Sequence, residues 1–175
     1  MPLLKTVKPE EATGVTKEAY SIFENMGAPV ALPMQMMSIS PFFVEAQGNG
    51  LKYYISHPSL KFPLLAHIRM LVAYNEGYEY CIALNEGMLK MLGGLSQEDV
   101  DAVKADPSKA KLDDKDKAML LYVLKVTQDP AMSSAEDIAA LKDMGWSEQD
   151  IFEAVQHGLG MITAGMAFKI FKMSE

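Results

Sequence analysis

The sequence predicts an all-α fold. Apolar residues recur at helical spacing through most of the chain, and no alternation of apolar and polar residues persists long enough to demand a strand. Serine and threonine caps, with glycine stops, punctuate the chain at helix-length intervals. About eight helices in one compact domain follow from these observations.

Thr16 caps a first helix running to about Met26, where Gly27 offers a left-handed stop. Pro29 and Pro33 then predict an extended connection. Ser40 followed by Pro41 is a cap with proline at the first helical position, opening a helix from Phe42 to about Ile55 that His57-Pro58 closes; Gly48 and Gly50 weaken it. From Phe62 to Asn75, Leu64, Leu65, Ile68, Leu71 and Val72 trace one buried face. From Tyr78 to Leu92, Tyr78, Cys81, Ile82, Met88, Leu89 and Leu92 share a face with Asn85, and Gly93-Gly94 ends the helix.

Ser96 to about Ala105 is short, and Asp113 to Thr127 turns Met119, Tyr122, Val123 and Val126 inward across a polar loop from Asp106. Ser134 to Met144 follows, and Ser147 caps a last helix reaching toward Phe171. Within it, the run Gly158 to Phe168 is 11 residues long, against about 18 or more for a membrane span, and reads as a buried helix. Gly94 to Val100 is echoed by Gly145 to Ile151: a helix stop, an apolar residue, a serine cap, an acid three places on and a first buried aliphatic.

The chain carries 16 Lys plus Arg against 23 Asp plus Glu, a formal charge of -7, which repels phosphate backbones and anionic lipid. Neither nucleic acid nor a membrane is expected as a partner. A single cysteine, Cys81, excludes an intramolecular disulfide and a cysteine-built zinc cage, and suits a reducing cytoplasm. Met1 to Glu11 lacks the apolar core of a secretion signal. No cofactor and no metal site is predicted.

Cys81 is the first chemical candidate, because a thiolate is the strongest nucleophile this composition allows. Its place near a helix start favours the anion by about 0.3 to 1 kcal/mol. Glu76, Glu79 and Glu86 oppose it by a similar amount, so local sequence predicts no strong acidification of the thiol. Packing as a small apolar residue is the alternative.

His57, before Pro58, is placed to bond the last carbonyls of its helix. His157 lies four residues after Glu153, as a surface pair or pocket edge. Gly158, Gly160 and Gly165 complete no phosphate-loop pattern and more simply let a helix or subunit approach closely. Of 14 methionines, most fill the core, with Met34-Gln35-Met36-Met37 the stretch expected to be exposed as an adaptable apolar pocket or interface. Tyr74, Tyr78 and Tyr80 are candidates to line a small apolar ligand's pocket over Cys81, with Asn85 at its polar end.

The run from Phe62 to Ser96, then Leu112 to Ala118, then Ser134 to Val155 with its Gly-Trp-Ser-Glu turn, resembles the core of the alkyl hydroperoxidase D (AhpD)-like family, in the superfamily of carboxymuconolactone decarboxylases and peroxidase-related proteins. The resemblance is strongest at Asn75-Glu76-Gly77-Tyr78-Glu79-Tyr80-Cys81-Ile82-Ala83. It implies a helical fold assembled as a homo-oligomer (dimer, trimer or hexamer), with residues 61–175 as the core and 1–60 as an N-terminal helical extension. The family's redox centre needs a peroxidatic cysteine, a resolving cysteine and a Glu-His proton relay. Of those positions only the second cysteine is present, as Cys81; the others fall on Tyr78, Asn85 and Ala66. A disulfide cycle within one subunit is thereby excluded on covalent grounds.

Two functions remain open. One is single-cysteine, thiol-dependent hydroperoxide reduction at Cys81, with His67 standing in for the missing relay although it lies about 100° around the helix from the glutamate position. The other is a small-molecule-binding or scaffold protein without turnover. The histidine that the decarboxylase branch uses is also missing at Asn85.

Overall fold

A computed structural model of the chain describes residues 2–173. Among them there are nine α-helices and no strand. The helices fall into two compact units, one formed by the chain up to Pro58 and from Met166 onward, the other by Ser59–Gly165.

The first unit holds α1 (Gly14–Asn25), α2 (Leu32–Met37) and α3 (Pro41–Ile55). Its core is Ala19, Tyr20, Ile22, Phe23, Val30, Met34 and Val44. Two expectations change here. The cap of α1 is Thr13, in extended backbone, and Thr16 is buried inside the helix, because the apolar face it belongs to begins one turn earlier than the periodicity implied. The segment around Pro33 is helical rather than extended: proline sits in the first turn of α2, where its missing N–H has no intrahelical acceptor to lose.

That short helix turns Met34 and Met36 inward, at 2% and 5% exposure, so the stretch expected at the surface is part of the core. Gly48, a weak point by propensity, has a packing role: a Cβ there would lie 3.1 Å from the Cβ of Ala19, so its absence lets α3 cross close to α1.

The second unit is organised around α4 (Phe62–Asn75). Nearly every residue from Leu64 to Ala73 is buried, so α4 is a central helix rather than one with a single apolar face. Against it pack α5 (Glu79–Met91) and α7 (Asp114–Gln128). Leu92 lies one residue past the end of α5 and is 63% exposed, so it does not share that helix's buried face. The short α6 (Gln97–Ala105) and α8 (Ala135–Asp143) open on the capping boxes Ser96–Asp99 and Ser134–Asp137.

The last helix, α9 (Glu148–Ile170), opens on the same reciprocal bonds between Ser147 and Asp150. Both copies of the sequence echo are thus helix starts, each preceded by a glycine at positive φ, Gly94 at 69° and Gly145 at 88°. The run Gly158 to Phe168 is amphipathic rather than buried: Gly158, Gly165 and Phe168 face inward while Leu159 and Met166 are 38% and 54% exposed. No helix among the described residues is long and apolar enough to cross a membrane.

Candidate functional site

Three helices of the second unit converge at Gly158. A Cβ there would stand 2.9 Å from Val123 and 3.2 Å from Thr127 on α7, and 3.6 Å from Ile68 on α4, so only glycine lets α9 lie this close. Its neighbour His157 is thereby carried to Arg69. A second close approach occurs at Gly165, where a Cβ would fall 2.1 Å from the ring of Tyr78. At Gly160 a Cβ would meet open space, so within the chain the close approaches are those at Gly158 and Gly165.

Arg69 is the sole arginine of the chain and lies in the middle of α4. Its Nε donates to Asn85 Oδ1 at 2.8 Å, its Nη1 faces His157 Nε2 at 2.9 Å, and its Nη2 points at the Met88 sulfur at 3.9 Å. Asn85 is 2% exposed and donates from Nδ2 to the carbonyl of Cys81, one turn back on α5, at 2.8 Å. A guanidinium can only donate, so His157 Nε2 accepts. The imidazole proton therefore sits on Nδ1, which bonds the Leu65 backbone. Burial first, and then the adjacent Arg69 charge, pull the His157 pKa down to about 3, leaving the ring neutral at physiological pH.

Desolvation also lowers Arg69 to about 10, so it stays charged at neutral pH. Among the described residues no carboxylate pairs with it. His157, expected as a surface pair with Glu153 or a pocket edge, is bonded to Arg69. The signal that could have found it was compositional: one arginine set within an apolar helix.

Cys81 sits in the first turn of α5, 3% exposed, in a cluster with Ala73 and Tyr78 that Tyr80, Ile82 and Met161 flank. Burial pushes its thiol above the ordinary value. Glu86 is occupied by Lys104, its partner in an ion pair.

Tyr78 caps α5, is 7% exposed, and directs its hydroxyl to the Ile162 carbonyl at 3.4 Å. Its pKa is raised, first by burial and then by Glu76 and Cys81. Tyr74 is not gathered with these groups: it is 45% exposed and the Lys104 ammonium stands 5.7 Å over its ring.

His67 is fully buried, and its ring is held by Nδ1 donating to the Pro63 carbonyl at 2.7 Å. Nε2 is then a bare lone pair, and it has no hydrogen-bond partner in the structure. Burial lowers its pKa, outweighing the Pro63 bond. The one hydrogen bond of His67 thus runs along α4 rather than to Cys81. His57, in the first unit, is 5% exposed and packs on tyrosines, edge-on to Tyr53 at 5.2 Å and stacked on Tyr54 at 6.2 Å. No cluster of three His, Cys, Asp or Glu side chains among the described residues could hold a metal ion.

No family model matches the sequence, and no curated protein matches it. Solved structures do. An uncharacterized peroxidase-related protein from Silicibacter sp. TM1040 superposes with a TM-score of 0.78 at 16% identity, over 98% of this chain and 87% of that one. The alkylhydroperoxidase AhpD core of an uncharacterized peroxidase-related protein from Ralstonia eutropha JMP134 superposes with a TM-score of 0.77 at 15% identity, over 99% of this chain and 90% of that one.

Proposed function

We propose that this chain, which has the AhpD-core fold, is a small-molecule-binding protein whose redox centre has been replaced by a polar binding centre. The observation that carries this reading is the state of Asn85. At the position where the resemblance implies a proton-relaying histidine, a group that takes no proton near neutral pH is held from both sides, by Arg69 Nε and by the Cys81 carbonyl. Asn85 and Tyr78 form the inner wall of the proposed site. Assembly as a homo-oligomer belongs to the same proposal, supported by large apolar side chains left exposed, among them Phe42 at 71% in the first unit and Phe152 at 62% in the second.

The rival is thiol-dependent hydroperoxide reduction. There Cys81 would take one oxygen from ROOH, releasing ROH and becoming a sulfenic acid. Two equivalents of an external thiol would then return the cysteine, giving water and a disulfide of that thiol. The position of Cys81 in the first turn of α5 favours this route, and burial of the sulfur opposes it.

Mixing the protein with cumene hydroperoxide and dithiothreitol, beside Cys81→Ser, separates the two. Equal rates for both proteins are expected. Turnover that vanishes with the sulfur would overturn the binding reading and restore Cys81 as the catalytic residue, with His67→Gln then testing the relay.

A further inference from the structure

We infer that Arg69 is the anchor of a binding site for a small-molecule monocarboxylate, with the guanidinium fork taking the carboxylate and the Met88 side chain meeting the apolar body. This deepens the binding reading above and rests on it.

The argument begins with the charge. A buried cation is normally matched by an anion, because desolvating an ion without a partner is among the costliest things a fold can do. This chain has 23 acidic residues with which to do so, yet Arg69 is met only by an amide oxygen, a neutral imidazole and a thioether. Asn85 and His157 hold the fork in place without neutralising it. A guanidinium carries five N–H donors; three are directed at these partners, leaving two with no protein acceptor among the described residues.

The chemistry of the missing partner follows from what surrounds the fork. One positive charge beside a neutral His157 balances one negative charge, which favours a carboxylate over a doubly charged phosphate. The net charge of -7 repels polyanions as well. Arg69, Met88 and His157 are half-buried whereas Asn85 is buried, so the cluster runs from the interior to partly exposed side chains. Two sources could supply a carboxylate, a free small molecule or an acidic side chain of a second copy, and the experiment has an arm for each.

The probe is sodium benzoate, with benzamide as its neutral analogue and sodium chloride at equal ionic strength. Thermal unfolding of the full chain at pH 7 is expected to shift upward by roughly 5 °C at saturating benzoate. Benzamide and chloride are expected to give no shift. Arg69→Met should lose the shift, and Arg69→Lys, which keeps the charge but not the planar fork, should retain a smaller one. Should Arg69→Met not fold, the comparison of wild type with Arg69→Lys still decides.

An equal shift with benzamide or chloride, or an undiminished one in the variants, would overturn the inference. So would the other arm: no benzoate effect, together with an oligomer that sediments apart in Arg69→Lys at concentrations where wild type stays assembled, assigns the fork to a partner's acid. Each of these failures leaves the peroxide assay with Cys81→Ser untouched. Only sulfur-dependent turnover in that assay overturns the parent reading.

Discussion

Arg69 Nη1 and His157 Nε2 lie 2.9 Å apart although 88 residues separate them in the chain. The contact fixes the tautomer of the imidazole, because the guanidinium has no lone pair to offer and the ring must accept. A histidine in this state cannot gain a proton without losing its bond to Arg69 and placing two cations side by side.

Stability should therefore fall with acid in a window set by His157. Its folded pKa is about 3 against an ordinary 6.5, so between those values the unfolded chain binds a proton that the native one refuses. The contribution is fully present above pH 6.5, erodes as the pH drops through the window, and is gone below about 3. Urea unfolding from pH 7 to pH 4 should show a steeper decline for wild type than for His157→Gln, whose amide oxygen can still accept from Arg69. Parallel curves would contradict the assigned tautomer.

Asn85 and Arg69 should be coupled. Replacing Asn85 by leucine leaves Arg69 Nε–H without its acceptor and should destabilise the protein by about 2 kcal/mol. Adding Arg69→Met to Asn85→Leu removes the stranded charge and should recover most of that loss. A double-mutant cycle in denaturant should return a coupling of about 1–3 kcal/mol; simple additivity would mean that the bond carries no energy.

Two glycines of α9 should respond to alanine with opposite signs. At Gly165 a Cβ would sit 2.1 Å from the Tyr78 ring, and Gly165→Ala should cost at least about 1–3 kcal/mol. At Gly160 nothing lies within 4 Å, so Gly160→Ala should stabilise by about 0.5–1 kcal/mol through helix propensity alone. Thermal melts of the two variants would check both signs at once.

Cys81 should label slowly. With the sulfur buried and its pKa pushed up, 5,5′-dithiobis(2-nitrobenzoate) at pH 7 should react many-fold faster with urea-unfolded protein than with native. The pH of half-maximal native labelling should lie above that of a free cysteine peptide. Native labelling as fast as unfolded would show an accessible thiolate and strengthen the peroxidase rival.

Much of this molecule was legible in its sequence because helices are specified locally. The face Leu64, Leu65, Ile68, Leu71 and Val72, the caps Ser96, Ser134 and Ser147, and the glycine stops act within one or two turns of chain, and each is a helix feature in the structure. The same local rule misjudged Pro33, which fits the first turn of α2 as readily as it would break a helix interior. Covalent logic was equally legible: one cysteine forms no internal disulfide in any fold.

What tertiary structure alone decided is the environment of the polar groups. Nothing adjacent to Arg69 in sequence announces Asn85 or His157, since the three stand on α4, α5 and α9, and His157 reaches Arg69 because Gly158 lets α9 approach. Burial of Cys81 and the orphaned nitrogen of His67 are likewise products of packing. Helix formation is a sum of short-range terms, whereas desolvation and charge pairing depend on which distant segments exclude water together, and that is a property of the assembled helices.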